Sequence, residues 1–142
     1  MSTSDHAENA ILNLILRATA WANIADNAAT GPHTTLGMAL ATADPGDAGT
    51  MSTSEVAYTG YVRQTVARST GWTAASGGVS NLAADLDYPV GTGGTGTVTF
   101  LNVGRPTAGA TDSIFSGPVA PSIATGNGII PRLTTATSIT LT

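Results

Sequence analysis

Acid–base and nucleophilic chemistry near neutral pH would fall to very few side chains in this sequence. It holds two histidines, His6 and His33, and no cysteine. A serine nucleophile needs a base within hydrogen-bond reach. His6 stands at the start of a helix-spaced apolar segment, and His33 in a Gly-Pro-His-Thr stretch that reads as a turn. No Gly-x-Ser-x-Gly elbow places a serine on a strand-to-helix turn. An exposed helix-start residue explains His6, and a turn residue explains His33. No catalytic residue is assigned.

Carboxylate pairs are the next candidates. Asp85 and Asp87 alternate in a strand-like segment and so share one face. Acid–base work by such a pair needs a cleft that splits their pKa values. A solvent-facing strand that discourages aberrant pairing accounts for them more simply. Asp44 and Asp47, within Ala43-Asp44-Pro45-Gly46-Asp47-Ala48-Gly49, would offer carboxylates to a calcium ion, which takes about six to eight oxygens. A turn opened by Asp44 explains the same residues, and no metal is assigned. Gly91-Thr92-Gly93-Gly94-Thr95-Gly96 has the glycine density of a phosphate loop. Such a loop opens a helix and is served by a lysine. Here a β-branched run follows and the chain has no lysine, so a hairpin loop is predicted and no cofactor. Trp72, Tyr58, Tyr61 and Tyr88 would be the rings of a sugar-stacking platform. Aromatic residues are only 5% of the chain, so a platform competes with the core for the same rings. Core or interface anchoring is the favoured reading.

Composition narrows the partners. The 142 residues suit one domain, with 10% charged residues against about 25% in an average soluble domain. The basic residues are Arg17, Arg63, Arg68, Arg105 and Arg132, and the net charge is −4. Nucleic acid and anionic membrane surfaces require clustered cations, which these dispersed arginines do not supply. A surface of Thr, Ser, Asn and Gly repels its own copies only weakly, which suits a crowded assembly. The apolar run Ala10–Leu16 is interrupted by Asn13 and is far shorter than the ~20 residues of a membrane span. No secretory signal is visible, so synthesis and assembly in the cytoplasm are expected.

Two compositional zones must position whatever the chain does. Residues 5 to 27 lack Gly and Pro and are expected to form a helix, with Asp5 and Glu8 at capping-box spacing. Ile11, Leu14, Ile15, Ala18, Ala22 and Ala25 line one face, and Leu12, Leu16, Ala20 and Ile24 an adjacent one, with Trp21 near the end. A helix apolar over so much of its circumference wants cover on more than one side. Leu12, Leu16, Trp21 and Ile24 are therefore the candidate interface residues, against either the same subunit or a neighbour. From Gly31 onward, short β-branched segments alternate with turn signals. Strands are predicted at 35–42, 61–68, 73–75, 79–82, 84–88, 95–103, 113–119, 129–133 and 138–142. A bulge is expected where the alternation of Thr97–Phe100 shifts at Leu101. The predicted fold is mainly β: a β-sandwich or jelly-roll-like domain over 31–142, behind an N-terminal helical segment over 1–30.

Several stretches, taken in order, resemble a family of small phage proteins usually labelled tail-fibre proteins, including the mycobacteriophage type. They are Met38–Thr50, Glu55-Val56 leading to Gly60-Tyr61-Val62-Arg63-Gln64, Trp72 with Ser80-Asn81, Asp87-Tyr88-Pro89-Val90, Gly96–Phe100, Ser116-Gly117 and Ile139-Thr140-Leu141. Relatives often carry a His or an acidic residue near the position of Leu101–Arg105, where this chain reads Leu-Asn-Val-Gly-Arg. The resemblance implies a β-rich virion component with no catalytic or cofactor residues. On that basis the expected function is a non-catalytic structural subunit of a bacteriophage particle, tail-fibre-like or a capsid decoration (cement) protein. Its expected partners are major capsid or tail proteins and copies of itself, with no nucleic acid and no membrane. A host-receptor-binding module of the tail is the alternative, and a wall-degrading enzyme the more distant one.

Overall fold

The computed structural model describes residues 5–21, 33–46, 48–106 and 113–141. Among these, helix α1 (Asp5–Arg17) precedes strands β1 (Thr35–Ala41), β2 (Gln64–Ala67), β3 (Val79–Asn81), β4 (Leu86–Asp87), β5 (Thr95–Gly104), β6 (Ser113–Gly126), β7 (Arg132–Leu133) and β8 (Ser138–Thr140). The protein is thus mainly β with one N-terminal helix, as its punctuation by glycine and proline predicts. The strands form a four-stranded sheet in the order β2-β1-β5-β6 and the two-stranded pairs β3-β8 and β4-β7. The chain folds as two compact units, each gathered from separate stretches. The first holds Met1–Thr35, Val66–Asp85 and Leu133–Thr142, and the second Leu36–Thr65 and Leu86–Arg132. The boundary expected between residues 30 and 31 lies outside the described residues.

In the first unit, α1 docks on its own chain. Asn9 and Asn13 aim their amide oxygens at backbone N–H groups, accepting from Gly78 at 2.8 Å and Ala75 at 3.1 Å. Close approach here requires Gly78, with φ of +72°. A Cβ at that position would come within 2.7 Å of the Glu8 carboxylate and 2.6 Å of the Leu141 carbonyl. β3 pairs antiparallel with β8, Ser80 opposite Ile139. Leu12, Leu16, Val66, Trp72, Leu82, Leu133 and Ile139 make up the buried apolar interior.

Helix α1 is shorter than the expected span to residue 27, and its end has two causes. Ala18 adopts a left-handed conformation, φ 54°, and the Thr19 N–H donates to the Asn13 carbonyl at 3.0 Å. The Arg68 guanidinium then occupies the helix C-terminus. Its Nε and Nη2 donate to the carbonyls of Ile15 and Leu14, both at 2.6 Å, and its Nη1 to that of His33 at 2.9 Å. A cation on the last carbonyls both satisfies them and meets the negative end of the helix dipole. Burial holds the Arg68 pKa below its ordinary value.

The second unit is built on β1, β5 and β6. β1 alternates large and small residues, Leu36-Gly37-Met38-Ala39-Leu40-Ala41, and Leu36 through Ala41 are all buried. Both faces of this strand are therefore covered. It pairs antiparallel with β5, Leu40 opposite Leu101, and β5 pairs antiparallel with β6, Leu101 opposite Gly117. The consecutive burial of Leu101, Asn102, Val103 and Gly104 has the same origin. The irregularity expected at Leu101 falls instead on either side of it. Residues 119–122 stand against Thr99 alone, and a second shift separates Val103 from Gly104. β6 runs past the predicted end at 119 to Gly126, resuming its pairing with β5 after this interruption. The predicted strand at 73–75 is an irregular hairpin arm, tied by the bridges Trp72–Leu82 and Ser76–Val79.

Candidate interaction surface

Three short segments of the second unit lie side by side and carry four of its exposed aliphatic residues. The Thr59 N–H donates to the Gly93 carbonyl, and the Thr92 N–H to that of Thr59, both at 2.9 Å. Gly91 and Tyr88 donate to Ile129 and Pro131, again at 2.9 Å, and Gly128 donates back to Gly91 at 2.8 Å. Gly91 permits this contact, since a Cβ there would sit 2.1 Å from the Gly126 carbonyl oxygen. The glycine run thus serves backbone approach and leads into strand β5; it is not the expected hairpin loop, because β4 before it pairs with β7 while β5 pairs with β1 and β6. From these segments Val62, Val90, Ile129 and Ile130 project into solvent, 59%, 46%, 38% and 55% exposed. Four β-branched or aliphatic side chains left in water on neighbouring segments mark a protein-contact surface more readily than scattered single ones.

A polar and aromatic cluster in the same unit ties the segments around Tyr61 and Tyr88 to β1. The Glu55 carboxylate accepts from Arg63 Nε at 3.0 Å, Arg63 Nη2 at 2.7 Å and the Tyr61 hydroxyl at 2.8 Å. Its side chain and that of Arg63 are largely buried, 18% and 11% exposed. Hydrogen bonding to Glu55 raises the Arg63 pKa. The Tyr61 oxygen also accepts the Leu40 N–H at 3.2 Å, which links the cluster to β1. Tyr58 and Tyr88 donate to the carbonyls of Pro89, at 2.7 Å, and Met38, at 3.1 Å. The Tyr61 ring meets Tyr58 edge-on at 5.5 Å and stacks on Tyr88 at 6.1 Å. Burial pushes the pKa values of all three hydroxyls up. The carboxylate of Glu55 adds to the effect at Tyr61, and Tyr61 itself adds to it at Tyr88.

The residues singled out in the sequence are distributed as follows. Leu12 and Leu16 are fully buried within the single chain, among the interior residues that the same-subunit alternative expects. Trp21 is half-buried, its ring 5.9 Å from that of His6 and edge-on to it, and Ile24 lies outside the described residues. His6 and His33 are exposed. Asp85 accepts the Thr135 N–H at 2.9 Å, and Asp87 pairs with Arg132, Nη2 to Oδ2 2.8 Å. That exposed ion pair holds the Asp87 pKa below the usual carboxylate range. Asp44 closes a turn by accepting the Gly46 N–H at 2.9 Å, and Asp47 lies outside the described residues. Trp72, Tyr58 and Tyr88 are buried, 2%, 4% and 2% exposed, so they are interior anchors and not a stacking platform.

The exposed aliphatic residues escaped the sequence reading because they sit beside turn punctuation. Val90 lies between Pro89 and Gly91, and Ile129-Ile130 between Gly128 and Pro131. Such runs read equally as short buried strands. The spacing of Glu55, Tyr61 and Arg63 follows no local period that would have signalled their cluster.

A family model described as podophage GP4 fiber I protein gp80 matches residues 2–136. The chain belongs to this phage fibre protein family. A search of curated proteins finds no match. The tail-fibre-type resemblance carried by Met38–Thr50 and the later stretches is thereby confirmed at the level of the family.

Proposed function

We propose that this protein is a structural, non-catalytic subunit of a phage particle, placed in a fibre-like assembly by protein–protein contacts. Membership of a phage fibre family over residues 2–136 is the observation that carries this reading. The structure supports it in two ways. Val62, Val90, Ile129 and Ile130 offer exposed aliphatic side chains on segments joined by backbone hydrogen bonds, which suits a protein contact. Low charge across the chain also lowers the electrostatic cost of crowding copies together. The partners are other virion proteins and copies of the same chain. A tail-fibre role is favoured over capsid decoration by the family description. A receptor-binding role through aromatic stacking finds no support in rings as buried as Trp72, Tyr58 and Tyr88.

Mass spectrometry and cryo-electron microscopy of purified particles test this directly. The protein should be present and its density should lie on the tail. Ile130→Glu, at an exposed position, should leave the isolated protein folded and reduce its incorporation. Absence of the protein from purified particles would overturn the proposal.

A further inference from the structure

Only one asparagine of the chain, Asn127, is followed by glycine. That dipeptide carries a reaction of its own. The backbone nitrogen of the glycine attacks the side-chain amide carbon of the asparagine and closes a five-membered imide. Glycine favours the step because it has no Cβ to crowd the attacking nitrogen and leaves the backbone free to turn. The structure puts this pair in solvent and at the same time restrains the attacking atom. Asn127 and Gly128 are both exposed, in the turn that follows β6. The Ile129 N–H closes the turn on the Gly126 carbonyl at 3.1 Å, and Gly128 takes a φ of +76°, at the position a type II turn reserves for glycine. The Gly128 N–H, which must lose its proton for the attack, donates to the Gly91 carbonyl at 2.8 Å.

We propose that Asn127-Gly128 is a self-modification site gated by the hydrogen bond from Gly128 to Gly91. While that bond holds, the Gly128 nitrogen keeps its proton and its place in the turn, and the imide does not close. When the turn opens away from Gly91, hydroxide removes the Gly128 proton, the nitrogen bonds to Asn127 Cγ, and the Cγ–Nδ2 bond breaks. The departing nitrogen takes a proton from water and leaves as ammonia. Water then opens the imide, restoring the ordinary backbone as aspartate or routing it through the side chain as isoaspartate. One water is consumed and one ammonia released, with no oxidant or reductant. Either product adds a negative charge to a chain of net −4, next to Ile129 and Ile130, which are 38% and 55% exposed. Isoaspartate also lengthens the main chain by one atom inside the turn. Conversion thus marks irreversibly each molecule whose turn has parted from Gly91. The inference does not depend on the structural-subunit reading.

The test incubates the full chain at mildly alkaline pH, with and without concentrated urea, and follows the mass gain of amide-to-acid conversion by peptide mass spectrometry. In urea, Asn127 should convert before every other asparagine. In native buffer its conversion should be at least about tenfold slower, the factor that one intact hydrogen bond on the attacking nitrogen accounts for. Amide exchange of Gly128 reports the same opening and should be slowed by the same factor. Gly91→Ala would set a Cβ 2.1 Å from the Gly126 carbonyl oxygen, so it should part the segments and raise native conversion towards the rate in urea. Where circular dichroism shows that variant unfolded, the agreement between conversion and Gly128 exchange in the unaltered chain decides. Native conversion as fast as in urea, slow conversion beside an unprotected Gly128 amide, or another asparagine converting first in urea would each overturn the proposal.

Discussion

Raising the pH should unfold this protein steeply, and the tyrosine cluster sets where. All three tyrosines of the chain, Tyr58, Tyr61 and Tyr88, lie in the second unit and have pKa values pushed above 10 by burial. A raised folded-state pKa means the folded protein keeps a proton that the unfolded chain releases. The associated stability is complete below the unfolded value near pH 10 and is lost as pH climbs towards the folded one. In that window each such tyrosine costs about 1.4 kcal/mol per pH unit. Tyr61 and Tyr88, the two most strongly displaced, together give a slope of about 3 kcal/mol per unit. By about pH 12 the loss approaches 5 kcal/mol, the lower end of the stability of an ordinary domain, about 5–15 kcal/mol. Phenolate absorbance near 295 nm and far-ultraviolet circular dichroism, followed in parallel, check this. Ionisation of Tyr61 and Tyr88 should coincide with loss of structure in one cooperative step. Three tyrosines titrating freely near pH 10 while the strand signal stays intact would refute the packing of Tyr61 against Glu55 and Tyr88.

Four further outcomes are expected. Tyr61→Phe leaves the N–H of the fully buried Leu40 without its acceptor and should lower stability by about 1–3 kcal/mol in urea denaturation. Arg68→Met uncovers the carbonyls of Leu14 and Ile15 and should cost about 3 kcal/mol, with hydrogen exchange accelerating along α1 ahead of the strands. Ala18→Gly relieves a left-handed alanine at the end of α1 and should raise stability by about 0.5–1 kcal/mol, read as a higher denaturation midpoint. Carbon-detected NMR titration should place the Asp87 carboxyl below 3.8, and Arg132→Ala should return it to the ordinary range.

The sequence made the fold class and most strands legible because β-branched runs and glycine or proline punctuation coincide here with real strand ends, as at Thr35, Thr95 and Ser138. It overstated α1 because nothing in Ala18–Trp21 is a helix breaker. The stop comes from Arg68, fifty residues away in sequence, and from a backbone conformation that alanine rarely adopts. β6 looked shorter because proline ordinarily ends a strand. Here Pro121 sits within the stretch where pairing is already interrupted, so no ladder bond is at stake. The apolar helix face suggested an interface at Leu12 and Leu16, whereas Asn9 and Asn13 bring that face down on β3 and the turn before it. Periodicity reports that a face is apolar and is silent on what covers it.

The surface is poorer in usable charge than composition alone implies. Of five arginines, Arg63 is held by Glu55 inside the second unit, Arg68 by helix carbonyls inside the first, and Arg132 by Asp87. Arg63 and Arg132 each face a carboxylate of their own unit, so those two pairs contribute little field at a distance. Charged molecules meeting in solution are steered by such fields, whereas the contacts proposed for this protein would rest on shape and exposed aliphatic area. On that proposal, association should depend little on salt. An interaction of the isolated protein that weakened sharply between low and high ionic strength would therefore point to a different, charge-driven surface, and with it to a different role from the one proposed.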